Sequence, residues 1–130
     1  NDALYPFGYG LSYTTFQYGD IVLNTPTMKQ NETITATIQV TNSGKYDGAE
    51  VVQLYIRDLV GSITRPVREL KGFKKIFLKA GESKTVSFKI TADLLRFYDY
   101  DLNQVTEPGE FDIFIGGSSQ ATKTARLTLK

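Results

Sequence analysis

Few residues in this chain could do chemistry. Histidine, cysteine and tryptophan are all absent from its 130 residues. That removes a Ser-His-Asp relay, a Cys-His pair, an imidazole metal ligand and any disulfide. It also removes the indole platform most associated with flat sugar binding. Carboxylates, lysines, tyrosines and hydroxyls remain. Asp99, Asp101, Asn103 and Glu110 stand at positions 1, 3, 5 and 12 of a stretch spaced like a calcium-binding loop. Position six is Gln104, where such a loop needs glycine for its sharp turn, and Pro108-Gly109 prescribes a different turn. A hairpin with an acidic tip accounts for the same residues, and a weak calcium site is the alternative.

Paired carboxylates could in principle cut a glycosidic bond, which needs two of them ~5 to 9 Å apart across a cleft. Asp99 with Asp101, or Glu107 with Glu110, could share a strand face. A sandwich of this size offers no evident deep cleft, so surface charge is the expectation. Tyr98 and Tyr100 share one strand face, and Tyr55 and Arg57 share another. Such tyrosines can stack on sugar rings, but the more common arrangement is half-buried with a wet hydroxyl. Lys71, Lys74, Lys75 and Lys79 form a basic run of the kind that protects an edge strand from aberrant pairing. Asn31-Glu32-Thr33 fits a glycosylation sequon, a frequent three-residue coincidence.

The elements that position these residues read as strands. Gly48 to Asp58 alternates, with Val52, Leu54 and Ile56 on a dry face and Val51, Gln53, Tyr55 and Arg57 on a mixed one. Thr33 to Thr41 alternates as cleanly, with Ile34, Ala36, Ile38 and Val40 inward and threonines outward. Val86, Phe88 and Ile90 define another strand, Phe111, Ile113 and Ile115 a further one, and Leu127 and Leu129 the last. Thr14 to Leu23 is expected to form the first strand, bulged near Gly19, and Phe97 to Asp101 another. Leu70, Phe73, Ile76 and Leu78 are expected to carry the apolar load of a strand kinked at Gly72. Asn42-Ser43-Gly44 and Ala80-Gly81-Glu82 are turns, and Thr91 to Leu95 can make one helical turn. About seven or eight short strands with no convincing helix predict an all-β sandwich.

Composition bounds the rest. A chain of this length is one domain and can close one core without staples. Fifteen Lys and Arg against 14 Asp and Glu leave a net charge of +1, which makes no electrostatic case for nucleic acid or an anionic membrane. No apolar run approaches the ~20 residues of a membrane span. No cofactor is implied. One stretch does not belong to the sandwich pattern. Residues 1–13 form an aromatic arm with Tyr5, Phe7, Tyr9, Leu11 and Tyr13, broken by Pro6, Gly8 and Gly10. An arm this apolar wants a surface, either its own sandwich or a neighbouring domain. Phe16 and Tyr18 are expected to pack on the sandwich itself.

Leu4-Tyr5-Pro6-Phe7-Gly8-Tyr9-Gly10-Leu11-Ser12-Tyr13-Thr14-Thr15-Phe16 resembles the opening signature of the C-terminal domain of glycoside hydrolase family 3 enzymes. Gly48 to Asp58, Arg65-Pro66-Val67-Arg68-Glu69-Leu70-Lys71-Gly72-Phe73, and Glu107-Pro108-Gly109-Glu110-Phe111 through Gly116-Gly117-Ser118-Ser119 follow in that domain's order. The family pattern weakens at Gln120 to Thr124. The resemblance implies a fibronectin type III-like sandwich over residues 14–130, with residues 1–13 linking it to upstream barrel and α/β domains that carry the catalytic carboxylates. It implies no catalytic residue here, a periplasmic or extracellular location, and carbohydrate contact only through the parent β-glucosidase or β-xylosidase. Tyr5, Phe7, Tyr9, Leu11 and Tyr13 would then dock between domains, with the Arg57 to Pro66 loop a weaker second candidate. An independent carbohydrate-binding module using Tyr55, Tyr98 or Tyr100 and a cell-surface adhesion sandwich are the competing readings.

Overall fold

Alternation of apolar and polar residues divides most of the chain into two sheets whose dry faces meet. The computed structural model describes residues 14–59, 68–98, 104–117 and 123–130. The aromatic arm, most of the loop that follows Asp58, residues 99–103 and residues 118–122 lie outside them.

The first sheet is centred on β4 (Thr33–Asn42). Along one edge β4 pairs with β1 (Phe16–Tyr18) and then β2 (Val22–Leu23), and along the other with β7 (Ser83–Thr91), all antiparallel. The expected single first strand is therefore two short pieces on one edge, parted at Gly19, whose amide donates to the Gln39 carbonyl. The second sheet runs β3 (Thr27–Met28), β11 (Lys123–Leu129), β10 (Gly109–Gly116), β5 (Gly48–Asp58), β6 (Arg68–Leu78). Among the described residues β3 alone is parallel to its neighbour, through Thr27–Thr128 and Met28–Leu129. A small third ladder joins β8 (Phe97–Tyr98) to β9 (Gln104–Val105). Among the described residues the helical structure is one 3₁₀ turn, Asp93–Leu95, where the Thr91 hydroxyl accepts from the Leu94 amide.

The core is what the alternation predicts. Ile34, Ala36, Ile38 and Val40 of β4 and Val86, Phe88 and Ile90 of β7 are buried. They face Val52, Leu54 and Ile56 of β5, Phe111, Ile113 and Ile115 of β10, and Leu127 and Leu129 of β11. Each of these side chains other than Ala36 contributes roughly 1.5 to 3 kcal/mol by leaving water. Phe16 is buried and Tyr18 packs half-buried against the same core, so both pack on the sandwich. The turn at Gly81 needs glycine for its backbone, which sits at φ +82°.

The strand β6 departs from its expected register. Leu54 pairs with Gly72 and Tyr55 with Leu70, so Lys71 is an extra residue forming a bulge at the edge of the sheet. The bulge reverses side-chain parity along the strand. Ile76 and Leu78 do face the core, but Leu70 and Phe73 point outward and are half or more exposed. Their expected inward role is corrected accordingly. The inward places opposite β7 are taken by Gly72, Lys74 and Ile76. The Lys74 ammonium lies 5.5 Å from the Phe88 ring centre and donates to the Ser87 carbonyl. The Lys71 ammonium lies 4.4 Å from the Phe97 ring centre and donates to the Arg96 carbonyl. Lys74 thus reaches across to β7 and Lys71 to the start of β8, each with its ammonium near an aromatic ring and held by a carbonyl.

Candidate functional site

The two outer faces of the sandwich differ in kind. On the first sheet, β4 and β7 present Thr33, Thr35, Thr37, Gln39 and Thr41 beside Thr91, Lys89, Ser87, Thr85 and Ser83. Hydroxyls, an amide and a lysine make a face suited to water. Pairing in the second sheet sets a different row on its outer face. Phe77 stands beside Ala49, Lys75 beside Val51, Phe73 beside Gln53, and Leu70 beside Tyr55, which neighbours Phe114 across β10. Leu70, Phe73 and Phe77 are 50%, 65% and 54% exposed. Phe114 is buried although it belongs to this outer face.

Arginines hold one end of that row. The Arg68 guanidinium lies 5.0 Å from the ring centres of both Tyr55 and Phe114, and that of Arg57 lies 5.2 Å from Phe114. One face of the Tyr55 ring thus carries a guanidinium, and its hydroxyl donates weakly to the Gln53 side chain at 3.4 Å. Beneath them Asp112 is buried and bridges two arginines. Arg57 Nη2 donates to one carboxylate oxygen and Arg126 Nε to the other, both at 2.9 Å, while Arg126 Nη1 reaches Glu110 at 2.8 Å. Burial alone would raise the Asp112 carboxyl. The hydrogen bonds from Arg57 and Arg126 outweigh it and hold the group below the usual carboxylate range.

Glu50 and Asn42 are polar groups inside the sandwich. Glu50 shares the inward parity of Val52 and Leu54 and is buried, with the Tyr18 hydroxyl donating to Oε2 at 3.0 Å. Gly117 lies against the pair, where a Cβ would come within 2.2 Å of that oxygen. Burial pushes the Glu50 carboxyl up, more than hydrogen bonds from Tyr18 and the Val51 amide lower it. Burial and the neighbouring carboxylate keep the Tyr18 phenol protonated. The second site is Asn42, fully buried at the end of β4. Its Oδ1 accepts from the Thr14 hydroxyl at 2.7 Å and the Gly44 amide at 3.0 Å. Its Nδ2 donates to the carbonyls of Tyr46 at 2.8 Å and Leu78 at 3.0 Å.

Two of the buried carboxyls, Glu50 and Asp112, pull on stability in opposite directions. Glu50, raised in the native state, contributes fully below its unfolded pKa and loses that contribution as pH rises through the native value. Asp112, lowered in the native state, contributes above its unfolded pKa and loses it as pH falls through the native value. Glu50→Gln keeps an oxygen for Tyr18 and removes one titration. Melting curves between about pH 4 and 8 are expected to lose part of their alkaline-side decline in this variant. An unchanged slope would place the decline elsewhere.

Of the residues singled out from sequence, Tyr5, Phe7, Tyr9, Leu11 and Tyr13 lie outside the described residues, as do Asp99, Tyr100, Asp101, Asn103 and residues 60–67. Tyr98 pairs with Gln104 in the β8–β9 ladder. Glu110 sits on β10 in the Arg126 pair. Among the described residues no three carboxylates cluster as metal ligands. Glu50, Asn42, Asp112 and the outward β6 row were not anticipated. The parity of Glu50 with Val52, Leu54 and Ile56 was the available signal for its burial.

Comparison with known proteins adds the context. Residues 50–119 match the family described as fibronectin type III-like domain. The chain is 50% identical over 129 residues to a periplasmic β-glucosidase of Salmonella typhimurium, covering 99% of this chain and 17% of that protein. It is 52% identical over 129 residues to a β-xylosidase of Formosa agariphila, covering 98% of this chain and 18% of that protein. Among solved structures, a β-glucosidase from Erythrobacter marinus superposes with a TM-score of 0.84 at 39% identity, over 97% of this chain and 17% of that one. The chain thus spans about a sixth of the length of these relatives.

Proposed function

Because the chain belongs to the fibronectin type III-like domain family, in the form found at the C-terminal end of glycoside hydrolase family 3 enzymes, we propose that it is a non-catalytic structural module. It docks on the upstream catalytic domains of a retaining β-glucosidase-like or β-xylosidase-like enzyme and stabilises them. The observation that carries this reading is the coverage. Relatives at about half identity align along nearly all of this chain and under a fifth of their own. The domain is therefore shared with enzymes that carry most of their length elsewhere, and in this reading that remaining length holds the reacting carboxylates. The parent is expected to work in the periplasm or outside the cell, a reading supported by the name of the Salmonella relative.

In this reading the aromatic arm links sandwich to body, and Phe7 and Tyr9 fill the groove between them. Interfaces within a chain typically cover ~600 to 1,500 Å². Replacing both by alanine in the parent enzyme should lower its melting temperature by several degrees, since burying each ring contributes roughly 1.5 to 3 kcal/mol. Calorimetry of the whole enzyme measures it. An unchanged melting temperature counts against docking through the arm.

A further inference from the structure

We infer that the outer face of the β5–β6 edge is a docking surface, and that its occupant is the catalytic body of the same polypeptide. This rests on the reading of the chain as a module of a longer enzyme and names the surface that reading leaves open.

The first argument is a comparison within the molecule. On the other outer face β4 and β7 carry threonines, serines, a glutamine and a lysine, with Val22 of β2 the one large exposed apolar side chain beside them among the described residues, so a wettable sheet face is within the sequence's means. On the β5–β6 face it places Leu70, Phe73 and Phe77, each half or more exposed, in a row with Ala49, Val51 and Tyr55. At ~3.3 Å per residue the row runs roughly 20 Å. Single exposed apolar residues are ordinary, but an ordered row on one sheet face marks a contact. The second argument is the strand itself. The bulge at Lys71 turns Leu70 outward, onto the face that already holds Phe73 and Phe77, while Gly72, Lys74 and Ile76 hold the inward places. Phe73 and Phe77 are outward by unbroken alternation from Ile76 and Leu78, and a register that buried them would turn Ile76 and Leu78 out and Lys71 and Lys75 in. Placing aromatics outside and Lys74 inward makes physical sense when something covers the aromatics.

The occupant follows from extent and charge. The relatives carry about five-sixths of their length beyond the part this chain matches, so a large body is covalently at hand at high effective concentration. The outward positions of β5 and β6 hold Arg68, Lys75 and Arg57, the last already paired with Asp112 on the neighbouring strand, and no carboxylate. The complementary surface is therefore apolar at its centre, with carboxylates or carbonyl oxygens around it.

Hydroxyl-radical footprinting of the parent enzyme tests this, with the separately produced 130-residue chain and a parent lacking residues 1–130 alongside. Oxidation of Phe73 and Phe77 should be at least about fivefold lower in the parent than in the separate chain, while Val22 on the opposite sheet changes less than about twofold. Equal oxidation in both overturns the surface. Protection in the separate chain that grows with its concentration assigns the face to a second copy and also overturns it. The shortened parent separates the two ideas. If it melts well below the full enzyme while Phe73 stays reactive, the surface is wrong and the module reading stands. If it melts like the full enzyme, the module reading fails as well.

Discussion

Asn42→Asp should cost the domain about 3 to 5 kcal/mol, a large share of the stability a domain of this size has to lose. The amide at this position has zero exposure and four hydrogen bonds, two accepted and two donated. Both donations go to backbone carbonyls, one in the turn after β4 and one, Leu78, at the end of β6 in the opposite sheet. One side chain therefore ties the two sheets and the turn together. Aspartate keeps the accepting oxygen and replaces the donor with a second acceptor. That oxygen would face two carbonyl oxygens at hydrogen-bonding distance, with a buried negative charge added. Asn42→Ala should cost less, about 2 to 4 kcal/mol, because it leaves groups unsatisfied but adds no charge. Denaturant midpoints measure both. The aspartate variant should regain part of its loss on acidification, since a protonated carboxyl supplies one donor. A loss under about 1 kcal/mol for either variant would mean the buried amide is not a tie.

Gly117→Ala should be the second most damaging small change. The new Cβ would sit 2.2 Å from Glu50 Oε2, 2.9 Å from Glu50 Cδ and 3.0 Å from the Tyr18 hydroxyl. A flexible surface side chain could step aside. Glu50 is buried and held by Tyr18, so moving it breaks that bond and leaves a buried carboxyl without the phenol that donates to it. The cost is expected near 2 to 4 kcal/mol, or about 10 °C in melting temperature. Thermal melts of the single variant and of the pair with Glu50→Ala check the cause. The pair should be less than additive, because the second change removes the atom that the first one strikes. A Gly117→Ala variant that melts within about 2 °C of the wild type contradicts the packing described.

Where a strand was buried on one face and regular, its core residues were legible from alternation alone. Ile34, Ala36, Ile38 and Val40, and Phe111, Ile113 and Ile115, all face the core as their spacing indicates. The β6 strand was not legible in the same way. Its bulge changes parity at Lys71, and only the partner strand reveals where the extra residue falls. Asn42 looked like an ordinary turn residue because its partner at Leu78 is 36 positions away. The parallel pairing of β3 with β11 joins segments near opposite ends of the chain, and nothing local encodes it. Glu50 was recoverable from its parity, since a carboxylate in step with Val52 and Leu54 has to be buried or break the face. The difference between the two outer faces needed the strand order, because it exists only once Leu70 stands beside Tyr55 and Phe73 beside Gln53.

As a module of a longer enzyme, the sandwich is proposed to be held against a catalytic body and to steady it. The most direct measurement is the melting temperature of the parent enzyme with and without residues 1–130, the separate chain being added back in excess. The expected result is a fall of about 10 °C or more on removal, partly reversed by the added chain, as binding to the native state requires. A shortened enzyme that melts with the full one and ignores the added chain would contradict the account.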